Sequence, residues 1–300
     1  MSDKFKSHLA LFVSQLIYGA NYSVSKVVMP HYVLPFAFIL LRVAGAVGLF
    51  WITGLFYREK MEKTDLKKII YLSLFGVALN QMLFFKGLNM STPINASIIM
   101  TSNPIIVLLL TAFILKEKIS GNKIAGILLG IAGALTLLLI NKNFKLGSGT
   151  LAGDTLILIN STAWALFIIL AKPLMKKYNT VTILKWVFLV GLFYVTPFSI
   201  PEYRLINWHS MPPSIYLCIA FVIAGTTYLA YLLNTYALKD LSPSVVSIYI
   251  YMQPFIATLI AISIGQDHLD PVKIISGILI IAGVYLVSKT ENKVVRKLES

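Results

Sequence analysis

The sequence predicts an all-α integral membrane protein of ten transmembrane helices. They form two five-helix repeats of inverted topology, with both termini in the cytoplasm. Three observations predict this. The 300 residues are 57% hydrophobic and only 13% charged, with a mean hydropathy of +0.80, too apolar for an ordinary soluble domain. Ten apolar runs lie near residues 9–29, 35–57, 69–87, 93–115, 122–140, 151–172, 181–200, 213–236, 243–265 and 272–288, and about 20 residues suffice to cross a hydrocarbon core of about 30 Å. Residues 88–137 recur without a gap as residues 238–287, and an odd number of spans separates the copies.

The first run follows Lys4 and Lys6 and so imitates a secretory signal. Bulky Ile17 and Tyr18 precede the small pair Gly19-Ala20, a poor cleavage context, so the run reads as an uncleaved first span. Ser14, Tyr18, Asn21 and Ser25 share one helical face of it. Lys26 ends it, and the second run carries Arg42, the deepest charge, about seven residues in. Arg42 has two open readings, pairing with a backbone carbonyl or with a residue near the outer gate. The third run offers Asn80, Gln81 and Phe84.

The fourth run has Pro104 near its middle and the ninth has Pro254 at the equivalent place. A mid-helix proline lacks an N–H and clashes with the carbonyl four residues back, so both helices are expected to kink, freeing the carbonyls of Met100 and Ile250. Polar residues precede each proline on the same face: Ser97 and Thr101 in one, Ser247 and Tyr251 in the other. Freed carbonyls need a partner or a wet cavity at membrane depth. Paired midplane kinks suit a central substrate site, with Pro104 and Pro254 as hinges. The bland alternative keeps the prolines for packing and the hydroxyls for bonds between helices.

In the fifth run Gly126, Gly130 and Ala134 form a small-residue face, expected to pack on the tenth span or on a second copy. The stretch 141–153 is polar and glycine-containing, and divides the chain into repeats 1–146 and 147–300. At an offset of 146, Tyr18 falls on Trp164, Lys26 on Lys172, Tyr32 on Tyr178 and Gly45 on Gly191. At an offset of 150, Pro93, Ser97, Pro104 and Gly133 fall on Pro243, Ser247, Pro254 and Gly283. Asn160 and Trp164 of the sixth span, with Thr227, Tyr231 and Asn234 of the eighth, complete a set of polar and aromatic faces.

The candidate substrate-binding residues are therefore Tyr18, Asn21, Gln81, Ser97, Thr101, Trp164, Thr227, Tyr231, Ser247 and Tyr251. For each, an interhelical hydrogen bond is the competing reading. Lys26, Arg42 and Lys172 are candidates for gates or charge partners, although snorkelling to the interface also explains the two lysines.

The net charge of +14 is distributed by side. Segments expected in the cytoplasm hold Arg58, Lys60, Lys63, Lys67, Lys68, Lys116, Lys118, Lys176, Lys177, Lys239 and the basic terminal residues. The opposite side holds chiefly Lys86, Lys142, Lys145, Arg204 and Lys273. That is the positive-inside pattern, so the basicity sets topology and nucleic acid is not the expected partner. The lone Cys218 excludes an intramolecular disulfide framework and any multi-cysteine metal site.

The chain resembles the drug/metabolite transporter superfamily, EamA type, over essentially its whole length. The likeness rests in the first half on Tyr18-Gly19, Arg42, Gly87-Leu88, Pro93, Ala96, Pro104, Glu117 and Gly126. In the second half it rests on Ala237-Leu238, Pro243, Pro254, Asp267, Gly277 and Gly283. Tyr18 stands where tryptophan is commoner in the family, and Asp267 where glutamate is usual. The resemblance implies an exporter of small metabolites, amino acids among them, in a bacterial inner membrane, with no cofactor and no metal.

The residues point the same way. Halves of opposite orientation are a physical design for alternating access, with substrate bound between them. The aromatic and amide-rich faces suit a small neutral or zwitterionic amphiphile, since a phosphorylated substrate would call for more buried Arg or Lys. No Asp or Glu sits at the middle of a span, which argues against a carboxylate-based proton mechanism. A membrane enzyme is disfavoured, because His8, His31, His209 and His268 lie at span ends or in loops and no nucleophile neighbours an evident base. A receptor or scaffold has no need of matched midplane prolines. The expected partners are the small-molecule substrate and the lipid bilayer, and two fused halves make a monomer sufficient.

Overall fold

A computed structural model of the protein describes residues 3–57, 59–91, 93–116, 119–139, 150–263 and 271–298. Among these every regular element is helical. The first half contributes α1 (Asp3–Val28), α2 (Pro35–Gly54), α3 (Lys63–Met90), α4 (Pro93–Met100), α5 (Asn103–Ile114) and α6 (Gly121–Leu139). The second contributes α7 (Leu151–Met175), α8 (Thr180–Tyr203), α9 (Pro213–Ala237), α10 (Pro243–Ile248), α11 (Met252–Ser263) and α12 (Pro271–Leu298). Among the described residues six stretches are long and apolar enough to cross a membrane: α2, α3, α7, α8, α9 and Pro271–Lys289 of α12. The expected fourth and ninth spans are each divided into two shorter helices, for the reason given below.

Local chemistry explains where the helices start. Pro35, Pro213 and Pro243 occupy first turns, where a missing N–H costs nothing and φ is preset. Side-chain caps begin two others, where Thr150 Oγ1 accepts from the Gly153 N–H and Asn179 Oδ1 from Val181, and Ser242 Oγ, accepting from Val245, reinforces the start at Pro243. Such a cap is worth about 0.5–2 kcal/mol.

Helices pack in antiparallel pairs drawn from the two halves. In α2 and α8 the two ends staple each other. Glu202 Oε2 accepts from Phe36 N at 2.6 Å and Ala37 N at 3.2 Å, and Glu59 Oε2 accepts from Asn179 N at 2.8 Å. In α3 and α7, Asn160 Nδ2 donates to Asn80 O at 2.6 Å, while Gly87 lies against Gly153 and Gly76 under Phe167. In α1 and α9, Ser7 Oγ donates to Asp240 at 2.6 Å and Gly225 faces Ile17. In α6 and α12, Gly126 meets Gly283 and Val287, and Gly133 meets Ser276 and Ile280. The small-residue face of α6 is thus used inside the chain. Gly126 lies on α12 and Gly130 under the Tyr251 ring.

Large apolar side chains point outward, including Phe113, Leu151, Phe193 and Leu217. An outer surface of that kind suits lipid, which is as apolar as the side chains themselves. At one end, around the polar first turn of α3, Lys177 bridges Glu62 at 2.6 Å and Asp65 at 2.8 Å. The hydrogen bonds it donates to Asp65 and Glu62 hold its ammonium above the ordinary lysine range. This ties the start of α3 to the α7–α8 connection.

Candidate functional site

The helix breaks sit one turn before the prolines. Between α4 and α5 the chain turns at Thr101–Ser102, where Thr101 N and Ser102 N bond back three residues to the carbonyls of Ile98 and Ile99. Between α10 and α11 a single 3₁₀ turn covers Tyr249–Tyr251. Each proline then sits inside the first turn of the helix that follows, with its forbidden carbonyl left at the end of α4 (Met100) or within the 3₁₀ turn (Ile250). Met100 and Ile250, the residues whose carbonyls the prolines displace, both line a central cavity of about 100 Å³.

The cavity walls come from both halves. From the first half, Gln15, Tyr18 and Asn21 of α1, Arg42 of α2, and Asn80, Gln81, Phe84 and Phe85 of α3 face it, with Asn103 beside the first break. From the second come Asn160 and Trp164 of α7, Thr226, Tyr231 and Asn234 of α9, Val246 and Ser247 of α10, and Gln253 of α11. Trp164 meets Tyr231 edge to face at 5.4 Å, and Phe188 meets Tyr231 at 5.1 Å. Such aromatic pairs fix ring positions as well as burying area.

Two π-helical stretches organise the polar groups. Residues Leu74–Leu79 of α3 and Val222–Leu229 of α9 depart from the regular α ladder, and such insertions displace carbonyls from their usual partners. The Gly76 carbonyl accepts the Tyr231 hydroxyl at 3.0 Å, and Asn80 Oδ1 accepts the same hydroxyl at 2.8 Å. The Val222 carbonyl, five residues back, accepts from Thr227 Oγ1 at 2.7 Å. Thr227 Oγ1 in turn accepts from Arg42 Nε at 2.9 Å. The Arg42 guanidinium lies over the Phe85 ring at 4.2 Å and near Phe38 at 5.9 Å. It is only 3% exposed, and among the described residues no carboxylate pairs with it.

Of the sequence candidates, Tyr18, Asn21, Gln81, Trp164, Tyr231 and Ser247 face this cavity together. Thr227 stands behind the wall and holds Arg42. Thr101 is turned into its own helix end, donating to the Ile98 carbonyl at 2.6 Å. Tyr251 lies over Gly130 of α6, away from the cavity. The Ser97 side chain, Glu117 and Asp267 lie outside the described residues. Lys26 and Lys172 take corresponding places. Lys26 Nζ donates to the Ser91 carbonyl at 3.3 Å, just past α3. Lys172 Nζ donates to the carbonyls of Leu238 at 2.6 Å and Leu241 at 2.8 Å, just past α9. Both therefore meet helix C-terminal carbonyls, where positive charge is favoured.

Gln15, Phe85, Asn103 and Gln253 face the cavity without having been singled out by the sequence. Asn103 and Gln253 each immediately precede a proline, the one signal available for them. Gln253 Nε2 donates to Gln15 Oε1 at 2.8 Å, closing one edge of the cavity. Among the described residues no group of three His, Cys, Asp or Glu side chains could hold a metal ion.

The family described as EamA-like transporter matches this chain twice, over residues 5–139 and 151–289. An uncharacterized transporter of Archaeoglobus fulgidus is 25% identical over 292 residues, spanning 96% of this chain and 99% of its own. The uncharacterized transporter YyaM of Bacillus subtilis is 24% identical, with 95% and 98% covered. A WAT1-related protein of Arabidopsis thaliana is 24% identical over 95% of this chain and 86% of its own. One solved crystal structure shares the fold with a TM-score of 0.75 at 19% identity, over 98% of this chain and 99% of that one. With its apolar helices and this kinship, the protein is a multi-pass membrane transporter, and it belongs to the EamA-like family of the drug/metabolite transporter superfamily.

Proposed function

We propose that the protein moves small neutral or zwitterionic amphiphiles, amino acids among them, out of the cell across the inner membrane by alternating access. The observation that carries this reading is the central cavity, which draws walls from both halves and lies against both helix breaks. Ten spans in two inverted five-helix repeats, 1–146 and 147–300, account for the antiparallel pairing of α1 with α9, α2 with α8, α3 with α7 and α6 with α12. Both termini then lie in the cytoplasm, and one chain suffices for function.

In this reading the breaks before Pro104 and Pro254 are hinges, and the halves rock about them to expose the cavity to one side and then the other. The two conformations differ by only a few kcal/mol, so both are populated. Substrate contacts fall on Tyr18, Asn21, Gln81, Trp164, Tyr231 and Ser247, with Ser97 as the repeat mate of Ser247. The test is uptake of a labelled amino-acid mixture into sealed proteoliposomes, with and without an imposed pH gradient. Saturable uptake that equilibrates without concentrating is expected of a carrier with no carboxylate at mid-span. Gradient-driven concentration would overturn the facilitated mechanism. No uptake above protein-free liposomes would count against amino acids as substrates.

A further inference from the structure

Among the described residues Arg42 is the one cavity-lining residue with a formal charge, and its surroundings leave it half satisfied. Nε is engaged by Thr227 Oγ1 at 2.9 Å, and the cation rests over Phe85 at 4.2 Å. Nη1 is buried with no hydrogen-bond partner. A guanidinium away from water is costly unless its donors are met, and ion-pair geometry favours a planar acceptor across its terminal nitrogens. With Nε tethered, that terminal edge is the one left for a ligand.

Two unfilled groups nearby have the opposite sense. Asn160 Nδ2 donates to the Asn80 carbonyl at 2.6 Å, and Asn103 Nδ2 donates to the Ser161 carbonyl at 2.8 Å. A carbonyl can only accept, so these bonds fix the orientation of both amides. Their oxygens, Asn160 Oδ1 and Asn103 Oδ1, are buried without partners, and both residues line the cavity. Among the described residues the cavity therefore presents one unmet cationic donor, the unmet acceptors of Asn103 and Asn160, and the unmet amide of Gln81 and hydroxyl of Thr226, which can each donate or accept.

Resting on the transport reading above, we infer that Arg42 is the carboxylate-recognition residue of the cavity, that Thr227 is its positioning residue, and that the transported class is a small amphiphile bearing one carboxylate. Amphiphilic amines without a carboxylate are rejected, because they would place a second positive charge beside Arg42 in a poorly screened site. The acceptor oxygens of Asn103 and Asn160 are free to take an ammonium or hydroxyl on the same molecule. The Trp164–Tyr231 wall takes its apolar body.

The test uses the detergent-purified full-length protein and four probes sharing one phenyl body: phenylalanine, 3-phenylpropionate, phenylalaninamide and phenethylamine. Ligand-induced thermal shifts give apparent affinities. Phenylalanine and phenylpropionate are expected to bind roughly 10- to 100-fold more tightly than the two compounds lacking a carboxylate, the span of a charge-assisted hydrogen bond. Arg42→Gln should erase that preference, and Thr227→Val, which keeps the shape and the charge, should reduce it. Should Arg42→Gln fail to fold, the Thr227→Val series carries the decision. Equal binding of amine and carboxylate, no shift with either carboxylate, or a preference that survives both substitutions would overturn the inference. Counterflow of labelled phenylalanine in liposomes separates the two readings. Binding that follows Arg42 without any counterflow leaves the recognition site standing and counts against transport of that probe.

Discussion

Gly45 of α2 and Gly191 of α8 stand 146 residues apart and make matching contacts. A Cβ on Gly45 would lie 2.5 Å from Ile223, and one on Gly191 would lie 2.6 Å from Val77, itself 146 residues before Ile223. Beside these seats the halves diverge. Arg42 lies over Phe85 at 4.2 Å, whereas at the positions 146 later Phe188 meets Tyr231 at 5.1 Å. The scaffold is shared and the charge is not. A symmetric cavity would have no preferred orientation for a dipolar ligand; among the described residues this one carries its single cation on the first half. In the alternating-access reading, packing symmetry and chemical asymmetry thus answer different demands, the first set by two interchangeable states and the second by the ligand.

The largest effects are expected where the shared scaffold is overfilled. A Cβ on Gly283 would stand 2.5 Å from the Gly126 carbonyl, and one on Gly133 would stand 2.6 Å from the Ser276 carbonyl. These two contacts exchange when each position is moved by 150. Because backbone is the obstacle, neither side can yield by changing a rotamer. Gly283→Leu and Gly133→Leu should each destabilise by about 1–3 kcal/mol or more, read as lower melting temperature and aggregated protein on size exclusion. Similar damage at both sites sharpens the equivalence of the halves. Damage at one alone breaks it.

The proline breaks come next. Pro104→Ala with Pro254→Ala should cut proteoliposome turnover at least about tenfold while leaving the melting temperature within a few degrees, since restoring a helical N–H favours helix rather than opposing it. A double variant that is well folded and transports normally would remove the hinge role. The single variants ask whether the turn at Thr101–Ser102 and the 3₁₀ turn at Tyr249–Tyr251 are interchangeable.

These breaks also mark where reading the sequence stops working. Polar stripes in apolar helices placed Tyr18, Asn21, Gln81, Trp164, Tyr231 and Ser247 on one cavity, because an unbroken α-helix keeps residues three and four apart on one face. By spacing Thr101 and Tyr251 fall on such stripes too, but they lie in the breaks themselves. There the turn tightens from 3.6 to about 3.0 residues, and the phase is lost. The π stretches were not legible at all, since nothing in Leu74–Leu79 or Val222–Leu229 distinguishes them from ordinary span sequence. Arg42 was visible as a deep charge, yet depth gives no direction, and its place over Phe85 depends on packing between α2 and α3.

Smaller effects should separate the two lysines. Lys172 reaches the Leu238 and Leu241 carbonyls at 2.6 and 2.8 Å, and Lys26 reaches Ser91 at 3.3 Å. Hydrogen bonds from a charged donor contribute about 1.5–3 kcal/mol when well formed. Lys172→Met should therefore lower the melting temperature more than Lys26→Met. Equal losses would mean that both lysines act by snorkelling, with the carbonyl geometry irrelevant.

The finest comparison is between the two glutamate caps. Glu59 and Glu202 are 143 residues apart, as are the amides of Phe36 and Asn179 that they receive, so each half closes the helix start of the other. Glu202 accepts two N–H groups, from Phe36 and Ala37, while Glu59 accepts one from Asn179. Glutamine keeps the shape and one acceptor oxygen but removes the charge, so the substitution isolates the attraction between carboxylate and helix N-terminus, about 0.3–1 kcal/mol. Glu202→Gln should cost more than Glu59→Gln, and both differences should shrink as salt is raised. The readout is melting temperature in detergent at low and high ionic strength. The two caps also sit at opposite ends of the α2–α8 pair, so in the alternating reading they belong to opposite gates. A cap that holds one gate closed should shift the balance of inward and outward states when weakened, and the two variants should shift it in opposite directions. Accessibility of single cysteines introduced at the two ends of α2 reads that balance. A shift in the same direction for both variants would make the caps ordinary helix stabilisers with no part in gating.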